Sequence, residues 1–178
     1  MGSLAEDRKE SSPVVTGRRP RVLCLHGFRT SGEIMKKQIL GKWPDQVTAR
    51  FDLVFADAPF PAEGKSDVDG IFDPPYYEWF QFDKEFLEYR NFDECLQYIE
   101  DLMIKEGPFD GSNSVGGVAR TSRKGDNDFL RKHGEALVEE FVDPTIIRHP
   151  KGHTVPRLDD KSLELMLGYL QKIEEDLH

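Results

Sequence analysis

Apolar and polar residues alternate along this chain in blocks that predict strands and helices. The segment RVLCLHG, residues 21–27, is apolar and ends at a glycine, which is typical of a buried strand followed by a turn. The alternating segment 51–60 predicts a second strand, which runs into a loop at Pro59. Between them, residues 31–43 carry five side chains near one face of a predicted helix: Ile34, Met35, Gln38, Ile39 and Trp43.

The later part of the pattern predicts three helices and one more strand. The helices cover residues 91–105, 128–141 and 159–177, and the strand covers residues 144–150. Residues 111–128 carry few large apolar side chains, and no strand is predicted there. Strands that alternate with helices are typical of parallel sheets. The chain is therefore predicted to have an α/β fold with a mostly parallel sheet and flanking helices.

Two segments fall outside these regular elements. Residues 1–20 are too poor in apolar surface to offset the entropy of ordering, which predicts a flexible tail before one domain at 21–178. Residues 59–80 form a long loop with four aromatic side chains towards its end: Tyr76, Tyr77, Trp79 and Phe80. Long loops often cover a site, so we predict a substrate lid there. The same residues fit equally well a loop that packs on the edge of the core.

Composition and charge narrow the class of protein. With 178 residues, 38% of them hydrophobic, the chain is long enough to bury the core of one domain. Its formal net charge of -9 disfavours binding to nucleic acid or to an anionic membrane, because both would repel it. The sequence has neither the roughly 18 consecutive apolar residues of a spanning helix nor the apolar core of a signal peptide. We expect a soluble cytoplasmic protein, with the nucleus as a second location.

The two cysteines and the distribution of possible metal ligands bear on cofactors. Cys24 lies in an apolar run and Cys95 in a helical pattern, which fits buried free thiols better than a disulfide or a zinc site. Free thiols favour a reducing compartment. The sequence has no H-E-x-x-H ligand motif on a predicted helix, which disfavours a metal-dependent hydrolase. No metal or other cofactor is predicted.

Candidate catalytic residues lie beside the predicted strands, whose carboxyl ends meet at one edge of a parallel sheet. His26, Gly27 and Phe28 follow the first strand, and a backbone N–H such as that of Phe28 could stabilise an oxyanion. His153 could act as a general base, and Asp128 could hold its imidazole in the productive tautomer. Each has a plainer alternative: a glycine turn beside a capping histidine, a structural histidine, and an aspartate that caps the following helix.

Several motifs in chain order resemble those of one family: RVLCLHGFRTSGEIMKKQ, DAPFPAEG, YYEWF, GPFDG and HPKGHTVPR. The chain resembles the FSH-type serine hydrolases, small esterase-like proteins of the α/β-hydrolase fold, over residues 20–111 and about 125–175. This resemblance implies hydrolysis of a small-molecule carboxylic ester through a Ser-Asp-His triad, without a cofactor. It makes His153 the general base, Asp128 the residue that orients it, and the Phe28 N–H an oxyanion donor.

The resemblance is interrupted where the nucleophile is expected. In the family, GPFDG leads through a strand into an elbow of G-F-S-Q-G type, whereas this chain passes from Gly111 to the acidic loop GDNDFL in about 15 residues. We interpret this as an internal deletion between about 112 and 124 that removes central elements of the sheet. Ser114 remains as the candidate nucleophile, but it lacks the preceding glycine that a strained elbow favours, and no apolar helix face follows it.

Two hypotheses for function therefore stay open. The chain is either a serine hydrolase that uses Ser114, or a catalytically inactive hydrolase-fold remnant that binds a small molecule or another protein. The sequence around Ser114 favours a loop serine, and nothing in the sequence identifies a protein partner.

Overall fold

The computed structural model describes residues 17–83, 89–114 and 155–177, and these form seven strands and four helices. The strands are β1 Arg21–Leu25, β2 Asp52–Ala56, β3 Phe60–Pro61, β4 Tyr77–Glu78, β5 Gln81–Phe82, β6 Tyr89–Arg90 and β7 Gly111–Ser114. The helices are α1 Gly32–Lys42, α2 Asp45–Thr48, α3 Phe92–Glu106 and α4 Asp160–Asp176.

A three-stranded parallel sheet lies at the centre, in the order β2-β1-β7. Leu25, the last residue of β1, pairs with Ala56 of β2 and with Ser114 of β7. All three strands therefore end at the same edge of the sheet. This arrangement confirms the predicted α/β fold with a parallel sheet.

Strand β1 is buried on both faces, which explains its continuous apolar run. Val22 and Cys24 point to one face, and Leu23 and Leu25 point to the other. Cys24 and Cys95 are both buried free thiols, as predicted.

Helices α1 and α4 cover the first face of the sheet. The Ser31 side chain caps α1 by accepting a hydrogen bond from the Ile34 N–H, and the five residues predicted to face inward are all buried. On α4, Met166 and Leu170 join the same core cluster. Val155 belongs to the same cluster, and its backbone N–H donates to the side chain of Gln38 on α1.

Helix α3 covers the second face only in part. Cys95 is buried, and Ile99 and Leu102 pack on the cluster of Leu23 and Leu25. Four other apolar side chains of α3 remain exposed within the described part of the chain: Phe92, Leu96, Met103 and Ile104. The helix and its bounds agree with the sequence prediction, but Leu96, Met103 and Ile104 stay exposed in the described part of the chain.

The prediction that no strand lies in 111–128 is wrong for its first four residues. Gly111–Ser114 form β7, which pairs along its whole length with β1. Asp110 fixes the start of this strand, because its carboxylate accepts hydrogen bonds from the Arg18 guanidinium and the Arg21 N–H. These partners hold the pKa of the Asp110 carboxyl below its usual range.

Pro20 packs on the domain, although the sequence places it in the tail. Pro20 is fully buried, and its carbonyl accepts a hydrogen bond from the Asp52 N–H of β2. Residues 1–16, the predicted helix at 128–141 and the predicted strand at 144–150 lie outside the described residues. Among the described helices, none is long and apolar enough to cross a membrane.

Candidate active site

The carboxyl edge of the sheet carries a tight turn directly after β1. The turn comprises residues 26–30, with Phe28 and Arg29 at its tip, and leads into the capped start of α1. Gly32, the first residue of α1, packs closely on β2: a Cβ there would lie 3.0 Å from the Ala56 carbonyl oxygen. The Asp57 carboxylate accepts a hydrogen bond from the Gly32 N–H at 2.8 Å. These contacts fix the turn against the end of β2.

The His26 side chain is buried beneath the turn and is 2% exposed. Its Nε2 accepts a hydrogen bond from the Ala58 N–H at 3.0 Å, so the proton lies on Nδ1, which donates to the Gly27 carbonyl at 2.8 Å. Burial lowers the pKa of the imidazole, against the opposing effects of the Gly27 hydrogen bond and the Asp57 charge. The neutral ring therefore connects the loops that follow β1 and β2.

Phe28 places a backbone N–H at the tip of the turn. No acceptor among the described residues takes a hydrogen bond from this N–H. Its ring packs edge-on against Phe82 and beneath the guanidinium of Arg29, which lies 4.7 Å from the ring centroid. An N–H of this kind is the chemistry that an oxyanion site requires.

The aromatic residues predicted to form a lid pack along the turn and its surroundings. The Tyr77 N–H donates to the Thr30 carbonyl at 2.7 Å, and the Trp79 indole N–H donates to the His26 carbonyl at 2.8 Å. The Tyr76 hydroxyl donates to the Phe72 carbonyl, and the Phe80 ring lies 5.6 Å from those of Phe82 and Phe92. Their role as a substrate lid stays a prediction.

The sequence analysis did not identify the ion pair between Arg29 and Glu78 as part of this site. The Arg29 Nε donates to the Glu78 carboxylate at 2.6 Å, and the Glu78 side chain is 2% exposed. The partners are 49 residues apart, so no local pattern links them. A charged residue within the motif YYEWF was the only available signal.

Of the three predicted triad residues, the structure describes the position of Ser114. Ser114 is the last residue of β7 and lies in register with Leu25, one residue before His26. This location at the carboxyl edge replaces the loop position that the sequence favoured. Asp128 and His153 lie outside the described residues, so the triad of Ser114, Asp128 and His153 stays a prediction. No group of three or more potential metal ligands occurs in the described part of the chain.

A parallel sheet with flanking helices defines a protein of the α/β class, and here a His-Gly-Phe turn follows the central strand of the sheet. Within that class, the family described as Serine hydrolase (FSH1) matches residues 15–114. The chain therefore belongs to the FSH1 serine hydrolase family. The match ends at the last residue of β7.

The chain is also similar to individual proteins, two of which are named as esterases. The chain is 30% identical over 129 residues to Esterase FUS5 of Gibberella fujikuroi, an alignment that covers 70% of this chain and 54% of that protein. It is 35% identical over 68 residues to Esterase claE of Penicillium crustosum, covering 37% and 25% of the two chains. It is 28% identical over 103 residues to a Schizosaccharomyces pombe protein named Dihydrofolate reductase, covering 51% and 22%. The chain thus spans about half the length of the first of these relatives.

Proposed function

We propose that this protein hydrolyses small-molecule carboxylic esters through an acyl-enzyme intermediate on Ser114. The observation that carries the proposal is the pairing of β7 with β1, which brings Ser114 to the edge where the His26–Thr30 turn begins. In the α/β-hydrolase arrangement the nucleophile follows a strand at this edge, and an oxyanion donor comes from a neighbouring loop. Membership of the FSH1 family and the names of two relatives, both esterases, support the ester as the substrate class.

The proposed chemistry assigns one task to each residue. The Ser114 hydroxyl attacks the acyl carbon and transfers its proton to His153, whose imidazole Asp128 orients. The Phe28 N–H donates to the oxygen that becomes negative in the tetrahedral intermediate. His153 then gives the proton to the departing alcohol. In the second half of the reaction water loses a proton to His153 and attacks the acyl carbon, and His153 returns that proton to the Ser114 oxygen as the acid leaves.

A fluorophosphonate probe tests this proposal, because it forms a covalent adduct with an activated serine. We expect the folded wild-type chain to be labelled and the Ser114→Ala variant to lose all labelling. Ser112→Ala, which removes a neighbouring hydroxyl of the same strand, is the matched control and should retain the label. A folded wild-type sample that takes up no probe contradicts the proposal.

A second candidate function is a catalytically inactive protein that binds a small molecule or a partner. It is favoured by the location of Ser114 within a paired strand, since a nucleophile elbow places its serine on a strained turn beyond the strand. The probe separates the two candidates: a folded, unlabelled chain supports binding without catalysis. A cytoplasmic location is a separate proposal, which rests on the sequence alone and which the probe does not test.

A further inference from the structure

Arg29 adopts a backbone conformation that residues other than glycine rarely take. Its φ angle is 52°, in the left-handed region, at the tip of the turn that follows β1. An arginine there is strained, and such strain persists only where the surrounding structure holds the residue in place. The contacts around Arg29 show what holds it.

The guanidinium of Arg29 is held on several sides. Its Nε donates to the buried Glu78 carboxylate, and its Nη1 donates to the Lys65 carbonyl at 3.2 Å. The ring of Phe28 lies against its face. Gly64 leaves room for the group, because a Cβ at that position would overlap the guanidinium.

The 59–80 loop also donates hydrogen bonds to the backbone of the turn. The Arg29 carbonyl accepts a hydrogen bond from the Ser66 hydroxyl at 2.6 Å. On either side of Arg29, the carbonyls of His26 and Thr30 accept hydrogen bonds from Trp79 and Tyr77. Glu78 lies between Tyr77 and Trp79 in the sequence. Its ion pair therefore connects the side chain of Arg29 to the residues that donate hydrogen bonds to the turn.

The geometry points to Glu78 and Arg29 as positioning residues that hold the turn in its left-handed conformation and so aim the Phe28 N–H at the edge of the sheet. As positioning residues, both act through the backbone of the turn. The part of this inference that concerns catalysis rests on the proposed function. The part that concerns the conformation of the turn does not.

The substitution Glu78→Gln removes the charge and keeps the shape of the side chain. We expect it to lower kcat for p-nitrophenyl butyrate at least tenfold, with KM changed less than threefold, because the oxyanion donor acts mainly in the transition state. The rate is expressed per site titrated with the fluorophosphonate, so that a loss of folded protein does not count as a loss of kcat.

Glu63→Gln is the matched control, because Glu63 lies in the same 59–80 loop as Glu78, and its carboxylate pairs with Arg90 at the surface. This variant should keep the wild-type kcat. A Glu78→Gln enzyme with the wild-type kcat per titrated site would overturn the inference. If Glu78→Gln does not fold, Arg29→Gly takes its place, since glycine accepts the left-handed conformation without strain but cannot form the ion pair; it should show the same loss of kcat.

Hydrogen exchange separates failure of this inference from failure of the proposed function. If the wild-type chain takes up no probe, the catalytic proposal fails, and the turn is then followed by NMR through the Tyr77 amide and the Trp79 indole N–H. Both should exchange at least tenfold faster in Glu78→Gln than in Glu63→Gln. Equal exchange in the two variants shows that the ion pair does not hold the turn.

Discussion

The buried side chain of His26 makes the stability of the folded protein depend on pH. Its neutral ring accepts the Ala58 N–H and donates to the Gly27 carbonyl, and protonation at Nε2 would remove the first of these bonds. Since burial lowers the pKa of His26 in the folded protein, the unfolded chain takes up a proton at a higher pH than the folded one. The stability that His26 contributes is therefore present above its ordinary pKa of 6.5 and is lost as the pH falls below it.

This sign gives a prediction for His26→Gln, in which an amide oxygen can still accept the Ala58 N–H but cannot titrate. We expect the free energy of unfolding of the wild type to fall relative to that of the variant between pH 7 and pH 5. Urea unfolding at several pH values measures this difference, in which the other histidines cancel because both proteins carry them. A difference that stays constant with pH would contradict the assignment of a neutral, buried imidazole.

At the scale of elements, α4 packs on the same core cluster as β1, the strand that leads into the candidate site. Leu170 of α4 is 0% exposed and contacts the cluster that includes Val22 and Cys24 of β1. We expect Leu170→Ala to lower the free energy of unfolding by about 2–5 kcal/mol, because it leaves a cavity in that core. Chemical denaturation measures the change.

Leu165→Ala is the control on the same helix, because Leu165 is 42% exposed. Its effect should stay within about 0.5 kcal/mol, as is usual for surface substitutions. Equal effects of the two substitutions would mean that α4 does not pack on the sheet as described.

The elements that the sequence predicted correctly carry their own local signal. β1 is a continuous apolar run, and α1 and α3 repeat apolar residues at helical spacing. β7 carries no such signal, since Gly111, Ser112 and Asn113 are poor strand formers, and its conformation comes from pairing with β1. Strand propensity depends strongly on neighbours, so a strand of this kind is found only once its partner is known.

The candidate site divides in the same way. The His26–Phe28 turn could be predicted because a strand and a glycine turn precede a helix in one stretch of sequence. The contacts that hold the turn could not, because Arg29 pairs with Glu78 and His26 with Ala58 across the fold. For Asp128 and His153 the sequence-based roles remain predictions.

At the scale of the whole molecule, family membership and catalytic competence are separate questions. The family match covers residues 15–114 and includes the sheet, the turn and β7. The alignment with the esterase from Gibberella fujikuroi covers 54% of that protein. The described part of the chain thus keeps the scaffold of a serine hydrolase, and the nucleophile decides whether the scaffold catalyses.

The identity of the acylated residue tests this account most directly. The wild-type chain is mixed with p-nitrophenyl acetate, quenched in acid and digested, and the peptides are mapped by mass spectrometry. We predict an acetyl group on Ser114, and none on the corresponding peptide of Ser114→Ala. A folded wild-type chain that carries the acetyl group on another residue, or carries none, would contradict the proposal that acyl transfer takes place where β7 ends.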